Sequence, residues 1–274
     1  MDFSPAMGTL IGNIVIAVVI IVLVKILGYF KKSITKYIKY LTSLTVGLLL
    51  ANVFIGFLPE ILAIEGVDFR EMGMYILFGL LFFYVTELVF HWHHCKDLEH
   101  NNHGCTSSHS HEHENNILMF IGTVLHNIFH GFILFGSFSI SIEFGMITTL
   151  ALLLHAIPQN IANYIMNHNS AKYSYLAALG GIIGAGMTFL MSDFLLDHQT
   201  LILAFISGGL LYTALTDILP EVQEDSGVTD KIKYLVFIII GIGLFIGFNG
   251  LIGHDHAGHT EHIEESNHDG HDHH

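Results

Sequence analysis

The segment HNIFHGF (126–132) places two histidines and an asparagine inside an apolar stretch that extends from about residue 117 to residue 142. His126 and His130 are four residues apart, so a helix presents both imidazoles on one face, about one turn from each other. Imidazole is the commonest protein ligand for Zn²⁺ and its neighbours among the transition metals. The spacing therefore predicts a pair of metal ligands on one helix.

The next apolar stretch contains a second polar stripe, in the segment HAIPQNIAN (155–163). His155 and Gln159 repeat the spacing of four residues, and Asn163 continues the same face. Pro158 has no backbone N–H to donate, so we expect it to interrupt the helix within this stripe. Two neighbouring helices thus each offer a polar face.

Polar side chains at membrane depth are costly and by default mark a pathway or a site. The alternative is that each histidine makes one interhelical hydrogen bond and nothing more. Three histidines, a glutamine and several asparagines on two neighbouring helices favour a shared metal site. The predicted ligands are His126, His130, His155 and Gln159, with Asn127, Asn160 and Asn163 as supporting or relay groups.

The composition indicates which elements hold these residues. Of 274 residues, 52% are hydrophobic and 12% charged, which is too apolar for a soluble domain of this size. A spanning helix needs about 20 mostly apolar residues. The sequence therefore predicts an all-α polytopic membrane protein with about eight transmembrane helices, at residues 8–30, 41–63, 72–94, 117–139, 144–167, 174–196, 200–219 and 234–253.

The basic residues of the loops predict the orientation, because Lys and Arg in short loops tend to remain on the cytoplasmic side. With the N-terminus outside, the lysines at 31–39, 96, 172 and 231–233 fall in inner loops and only Arg70 lies outside. An even number of helices returns the C-terminus to the outer side. The small size and the lack of an evident targeting signal favour the cell (plasma) membrane.

Two polar segments contain sixteen of the 21 histidines: HWHHCKDLEHNNHGCTSSHSHEHE (91–114) and HDHAGHTEHIEESNHDGHDHH (254–274). Histidine-rich tracts with carboxylates are typical of loose Zn²⁺ binding, and the alternative is a polar linker and a polar tail that bind no metal. The net charge of −14 favours cations and excludes a nucleic-acid partner. The predicted organisation is helices one to three in 1–90, a cytoplasmic histidine-rich loop in 91–116, helices four to eight in 117–253 and an outer histidine-rich acidic tail in 254–274.

The order of these features resembles the ZIP (ZRT/IRT-like) family of divalent metal transporters. HNIFHG stands where the family's fourth helix has a His-Asn pair followed by an acidic residue and Gly, and HAIPQNIAN matches the His-Glu-x-Pro-type motif of its fifth helix. Other segments agree with the family pattern: FLPEI (57–61) resembles the end of the second helix, Glu87 an acid of the third, and LLYTALTDILPEV (210–222) the seventh helix. The histidine-rich loop also lies between the third and fourth helices, where the family usually has one. The resemblance covers nearly the whole chain.

The resemblance implies eight helices with both ends outside, arranged as a two-part bundle. Helices one, four, five and six would hold the metal, and helices two, three, seven and eight would form a scaffold that is often dimeric. Metal would move into the cytoplasm by alternating access. Weaker candidates for entry or exit steps are Glu60, Glu87, Asp217 and Glu221.

The chain departs from the family pattern at the site itself. The expected carboxylates of the fourth and fifth helices are replaced by His130, Ala156, Gln159, Asn160 and Asn163. Two divalent ions without an anion between them repel, and uncompensated charge is expensive in a low-dielectric site. We therefore predict one metal held mainly by nitrogen, with Zn²⁺ fitting best, Cd²⁺, Co²⁺, Ni²⁺ and Cu²⁺ as competitors, and Mg²⁺ and Ca²⁺ excluded.

Two other classes of protein compete with a transporter. An intramembrane metalloprotease would share the His-x-x-x-His spacing, but it places Glu after the first His as general base, where this chain has Asn127. We therefore expect no enzyme. A metal-binding receptor, sensor or degenerate transporter would keep the fold and lose fast transport together with its carboxylates.

Overall fold

The computed structural model describes residues 4–35, 37–64, 66–95, 111–166, 171–223 and 227–252, and this part of the chain is helical almost throughout. Its eight long helices are α1 Pro5–Thr35, α2 Ile38–Ala63, α3 Phe69–Cys95, α4 His111–Ile140, α5 Ile142–Met166, α6 Ala171–Leu190, α7 Gln199–Gln223 and α8 Val228–Ile252. The predicted fold class, an all-α polytopic protein, is confirmed.

Seven of these helices are long and apolar enough to cross a membrane, and α6 contributes a shorter apolar stretch, Ser174–Leu190. The sequence predicted a sixth span over 174–196. In the structure α6 ends at Leu190, and after Met191 a separate short helix, Ser192–Asp197, begins. Asp193 lies in the first turn of that helix, where a carboxylate is favoured by the helix dipole. The hydropathy pattern alone does not reveal this break.

The ends of the first histidine-rich segment are helical, because α3 continues to Cys95 and α4 begins at His111, ahead of the predicted start at residue 117. Residues 96–110 and the tail from residue 253 lie outside the described residues. The predicted metal binding by both polar segments therefore stays a prediction.

The long helices form two groups. Helices α1, α4, α5 and α6 pack together, with the most extensive contacts between α4 and α6, while α3 packs along α7 and α2 along α8 and α7. The two groups meet mainly where α2 lies against α5. This grouping agrees with the two-part bundle that the family resemblance implied.

A π-helical segment, Asn52–Phe57, lies within α2 at this junction, and the sequence did not indicate it. The side-chain amide of Asn52 donates to the hydroxyl oxygen of Thr148 on α5 at 3.2 Å, and both side chains are fully buried. The ring of Phe57 meets the ring of Phe144 edge-on, with centroids 5.1 Å apart. These two pairs join α2 to α5. The groups are also linked by the rings of Phe83 on α3 and Phe129 on α4, with centroids 4.7 Å apart, and by the Gln199 amide on α7, which donates to the hydroxyl oxygen of Ser139 on α4 at 3.1 Å.

Helices α4 and α6 approach each other so closely that only glycine fits at their contact. A Cβ atom at Gly184 would collide with the backbone carbonyl oxygen of Ile128, and one at Gly131 would collide with the backbone of Gly184. Small residues permit such backbone contact between membrane helices. Because Gly131 directly follows His130, the contact also fixes the position of the predicted ligand.

We expect Gly184→Ala to push α6 away from α4, because its methyl group would meet backbone rather than a movable side chain. Forcing an extra methyl group into a packed interior typically costs about 1–3 kcal/mol. Thermal unfolding of the detergent-purified protein should therefore occur at a lower temperature. The matched control is Gly186→Ala on the same helix, where a Cβ atom meets nothing within 4 Å; equal unfolding temperatures for the two variants would contradict the close approach.

Candidate metal site

Three imidazoles from α4 and α5 converge on one point. The Nε2 atom of His126 lies 3.1 Å from Nε2 of His130 and 3.4 Å from Nε2 of His155. His130 and His155 are buried, and His126 is half-buried. Within the described residues this is the one group of at least three His, Cys, Asp or Glu side chains whose ligand atoms all lie within 4.8 Å of one another.

The two measured separations suit a tetrahedral zinc ion. A Zn–N bond of about 2.0–2.1 Å places two nitrogens of a tetrahedron about 3.3 Å apart. The separations of 3.1 Å and 3.4 Å lie on either side of this value. Three nitrogens with one further position also match the open coordination that zinc keeps where it must exchange a ligand. The donor set is therefore suited to one ion of this type.

The effect of Pro158 on helix α5 differs from the one that the sequence predicted. We expected Pro158 to interrupt α5, but α5 is continuous from Ile142 to Met166 with Pro158 inside it. A proline removes one hydrogen bond from the helix, that of the carbonyl four residues before it, which is the carbonyl of Leu154. The helix tolerates this loss, so His155 and Gln159 remain on one unbroken helix.

The three histidines lie where the two groups of helices meet. They line one small cavity together with Leu49 of α2 and with Phe83, Leu210 and Thr213 of α3 and α7. One wall is thus imidazole and the facing wall is almost entirely apolar. A shift of one group of helices along the other would change what the imidazoles face.

No hydrogen bond links Gln159 to the three imidazoles in the described part of the chain. Gln159 is half-buried, and its Oε1 atom accepts no hydrogen bond within the described part of the chain. It lies one helical turn beyond His155, so its carbonyl oxygen stays a predicted fourth ligand.

Two of the predicted supporting asparagines bind the helix backbone. The side-chain amide of Asn127 donates to the carbonyl oxygen of Ala177 on α6 at 2.8 Å, and that of Asn160 donates to the carbonyl oxygen of Ala156 at 2.8 Å. Both residues are buried, whereas Asn163 is half-buried. Asn127 thus ties α4 to α6 beside the ligands, and the role of all three asparagines stays a prediction.

Sequence reasoning missed Asn13. It lies on α1, is 2% exposed, and lines a second cavity that it shares with His130. The signal was present, because Asn13 is a lone amide in the otherwise apolar first span, and an amide at membrane depth is rarely without a function.

The weaker candidates lie outside the histidine group. Glu87 on α3 accepts a hydrogen bond from the hydroxyl group of Tyr212 on α7 at 2.7 Å, and Glu60 is exposed. The side chains of Asp217 and Glu221 are outside the described residues. Within the described part of the chain, no carboxylate joins the three imidazoles in a group that one ion could occupy.

Comparison with known proteins identifies relatives for most of the chain. The family model of the ZIP zinc transporters matches residues 91–249. The chain is 28% identical over 233 residues to zinc transporter ZIP13 of Pongo abelii, covering 78% of this chain and 67% of the relative. It is also 23% identical over 328 aligned positions to the zinc transporter ZIP13 homolog of Drosophila melanogaster, covering 92% and 91% of the two chains.

A third relative is zinc transporter YKE4 of Saccharomyces cerevisiae, with 24% identity over 242 residues that cover 74% of this chain and 68% of the relative. No solved structure was found to match the chain. The family model spans more than half of the sequence and includes all three converging histidines. A family of transporters, rather than of proteases, also agrees with the expected absence of enzymatic activity. The relatives of this chain are zinc transporters, which supports a role in metal transport for this multi-pass membrane protein. The chain belongs to the ZIP zinc transporter family.

Proposed function

We propose that this protein moves Zn²⁺ across the membrane into the cytoplasm and that His126, His130 and His155 hold the ion on its way. The observation that supports this most directly is the convergence of three Nε2 atoms at separations that suit tetrahedral zinc. The name zinc transporter, which these relatives share, supports the same substrate.

The donor set determines the proposed selectivity. Neutral imidazole suits Zn²⁺, Co²⁺, Ni²⁺ and Cu²⁺, while Mg²⁺ and Ca²⁺ require oxygen ligands. Cd²⁺ is a further competitor. Because the site has no carboxylate to offset a second divalent charge, we propose that one ion binds at a time.

We propose transport by alternating access, in which the group of α1, α4, α5 and α6 shifts against the other four helices. The location of the imidazoles at the junction of the two groups supports this proposal. The inward direction is the one that the resemblance to the family implies, and the loop charges, from which we expect both termini outside, agree with the topology of that family.

The oligomeric state of the protein and the membrane in which it lies are also part of this proposal. The apolar windows of α3 and α8 are only 6% and 11% buried within the chain, so lipid or a second copy of the chain must cover them. We propose a homodimer in the cell membrane. The histidine-rich loop and tail would then collect metal on the two sides of the bilayer.

A second function keeps the same fold. A receptor, sensor or degenerate transporter would bind zinc at the three histidines without passing it on. This alternative is favoured because the carboxylates that the family pattern leads us to expect in the fourth and fifth helices are missing here. Uptake measurements separate the two functions.

The first prediction from the proposed function concerns zinc transport itself. Purified protein in proteoliposomes should take up radioactive zinc, and His126→Ala combined with His155→Ala should abolish uptake, because one remaining imidazole cannot hold the ion. Excess Cd²⁺ or Co²⁺ should reduce uptake, while Mg²⁺ and Ca²⁺ should not. Asp230→Asn is the control, since Asp230 lies at the start of α8 and pairs with Lys233.

The outcomes distinguish the two functions. Uptake by the double variant at the wild-type rate would show that metal crosses elsewhere. Tight zinc binding that depends on the histidines, without any uptake, would favour the receptor or degenerate transporter.

The second prediction concerns pH. A metal binds imidazole only in its neutral form, so protons compete with zinc for the three imidazoles. Acidification of the outer solution should therefore weaken zinc loading and raise the zinc concentration needed for half-maximal uptake. Initial rates measured at several outer pH values, with a fixed inner pH, test this. Tighter loading at acidic pH would argue against imidazole ligands.

A further inference from the structure

A second cavity lies inside the group of α1, α4, α5 and α6, next to the histidine site. It has a volume of about 20 Å³. Its polar lining consists of His130 and three buried asparagines, one each from α1, α4 and α5: Asn13, Asn127 and Asn160. His130 is the residue that lines both this cavity and the one formed by the three histidines.

The three amides are oriented alike. Each donates one N–H to a backbone carbonyl oxygen: Asn13 to Thr9 at 2.9 Å, Asn127 to Ala177 at 2.8 Å and Asn160 to Ala156 at 2.8 Å. Their carbonyl oxygens are therefore the groups left to accept from something else. The Oδ1 atom of Asn160 is buried and accepts no hydrogen bond within the described part of the chain.

Gly181 on α6 gives the Asn13 oxygen its place in this cavity. A Cβ atom at Gly181, which also lines the cavity, would come within 2.6 Å of the Oδ1 atom of Asn13. The oxygen thus occupies the space that a side chain would need. The amide oxygen of Asn13 is therefore directed towards the face of α6 that lines the cavity.

A water molecule suits these groups better than an ion does. A cavity holds a water when it offers about 10–15 Å³ and two to four polar partners, and this cavity has about 20 Å³. A transition-metal ion would meet one imidazole here and three in the neighbouring site, so it would bind at the neighbouring site instead. Water can donate to two amide oxygens and accept from an imidazole N–H at the same time.

We infer that this asparagine-lined cavity binds one water molecule, which links His130 to Asn160 and Asn13 and so positions His130 as a metal ligand. The Nε2 atom of His130 faces His126, which leaves Nδ1 for a second partner. A histidine that binds metal through one ring nitrogen donates the other N–H to a carbonyl or a water, and loss of that partner typically costs about 10–100-fold in metal affinity. Asn160 is then a positioning residue, acting through the water.

The water is tested without reference to metal. Hydroxyl-radical footprinting with X-ray pulses oxidises buried side chains that adjoin a bound water. Ile20 lines the cavity and Val24, one turn along α1, does not, although both are 2% exposed. Ile20 should be oxidised faster than Val24 after correction for intrinsic reactivity, and Asn160→Leu should abolish the difference. Equal rates in the wild-type protein would overturn the inference.

The link to the metal site is tested by Co²⁺ titration of the full-length chain. The sixteen histidines of 91–114 and 254–274 are replaced by asparagine so that they do not bind the probe. In this background, Asn160→Leu should weaken Co²⁺ binding by about 10–100-fold, while Asn160→Gln, which keeps both the N–H donor and the acceptor oxygen of an amide, should retain more of the affinity than Asn160→Leu does. Ser174→Ala is the matched control, because Ser174 Oγ is also buried without a hydrogen-bond partner in the described residues but does not line the cavity.

The Co²⁺ titration rests on the proposed function only because it assumes that His130 binds metal. A failure of the water link and a failure of the proposed metal site therefore give different results. Unchanged affinity in Asn160→Leu, or a second Co²⁺ bound per chain, would overturn the inference. Co²⁺ binding that does not require His126 and His155 would instead overturn the proposed metal site. A variant that unfolds is recognised by its thermal transition, and the Asn160→Gln titration together with wild-type footprinting then decides the question.

Discussion

The constraint on which the structure depends is that three imidazoles must face one another inside an apolar helical bundle. Each buried polar group there needs a partner, because neither lipid nor the neighbouring side chains can replace water. The partners are short-range and numerous: backbone carbonyl oxygens hold the asparagine amides, and the imidazole nitrogens meet one another at 3.1 Å and 3.4 Å. A cation at the centre of the three nitrogens would satisfy them all at once.

The packing of the helices follows from this requirement. The glycine contact between α4 and α6 brings the His130 turn against α6, and the Asn127 amide fixes the same pair of helices through a hydrogen bond. The other face of the histidines meets apolar side chains of the second group of helices. A hydrogen-bonded inner face and an apolar outer face suit a site that must keep its ligands while its surroundings change.

Much of this arrangement was predictable from the sequence. The spacing of His126 and His130 and the polar stripe around His155 predicted which helices present the group of histidines. The apolar stretches predicted eight long helices, of which seven are long and apolar enough to cross a membrane. Helical periodicity and hydropathy depend on local sequence, whereas metal binding by these residues stays a prediction. Close helix approach at Gly131 and the π-helical segment of α2 depend on which helices are neighbours, and a single sequence does not specify that. The continuous helix through Pro158 and the convergence of Asn13 with His130 arise from tertiary packing in the same way.

The central claim is that one zinc ion is bound by His126, His130 and His155, and zinc X-ray absorption spectroscopy tests it most directly. The sample is the full-length chain with the histidines of both polar segments replaced, loaded with one equivalent of zinc. The account predicts a spectrum of three imidazoles with Zn–N distances of about 2.0–2.1 Å and no zinc–zinc scattering. A spectrum that the His126→Ala/His155→Ala double variant leaves unchanged, or one that shows two neighbouring zinc ions, would contradict it.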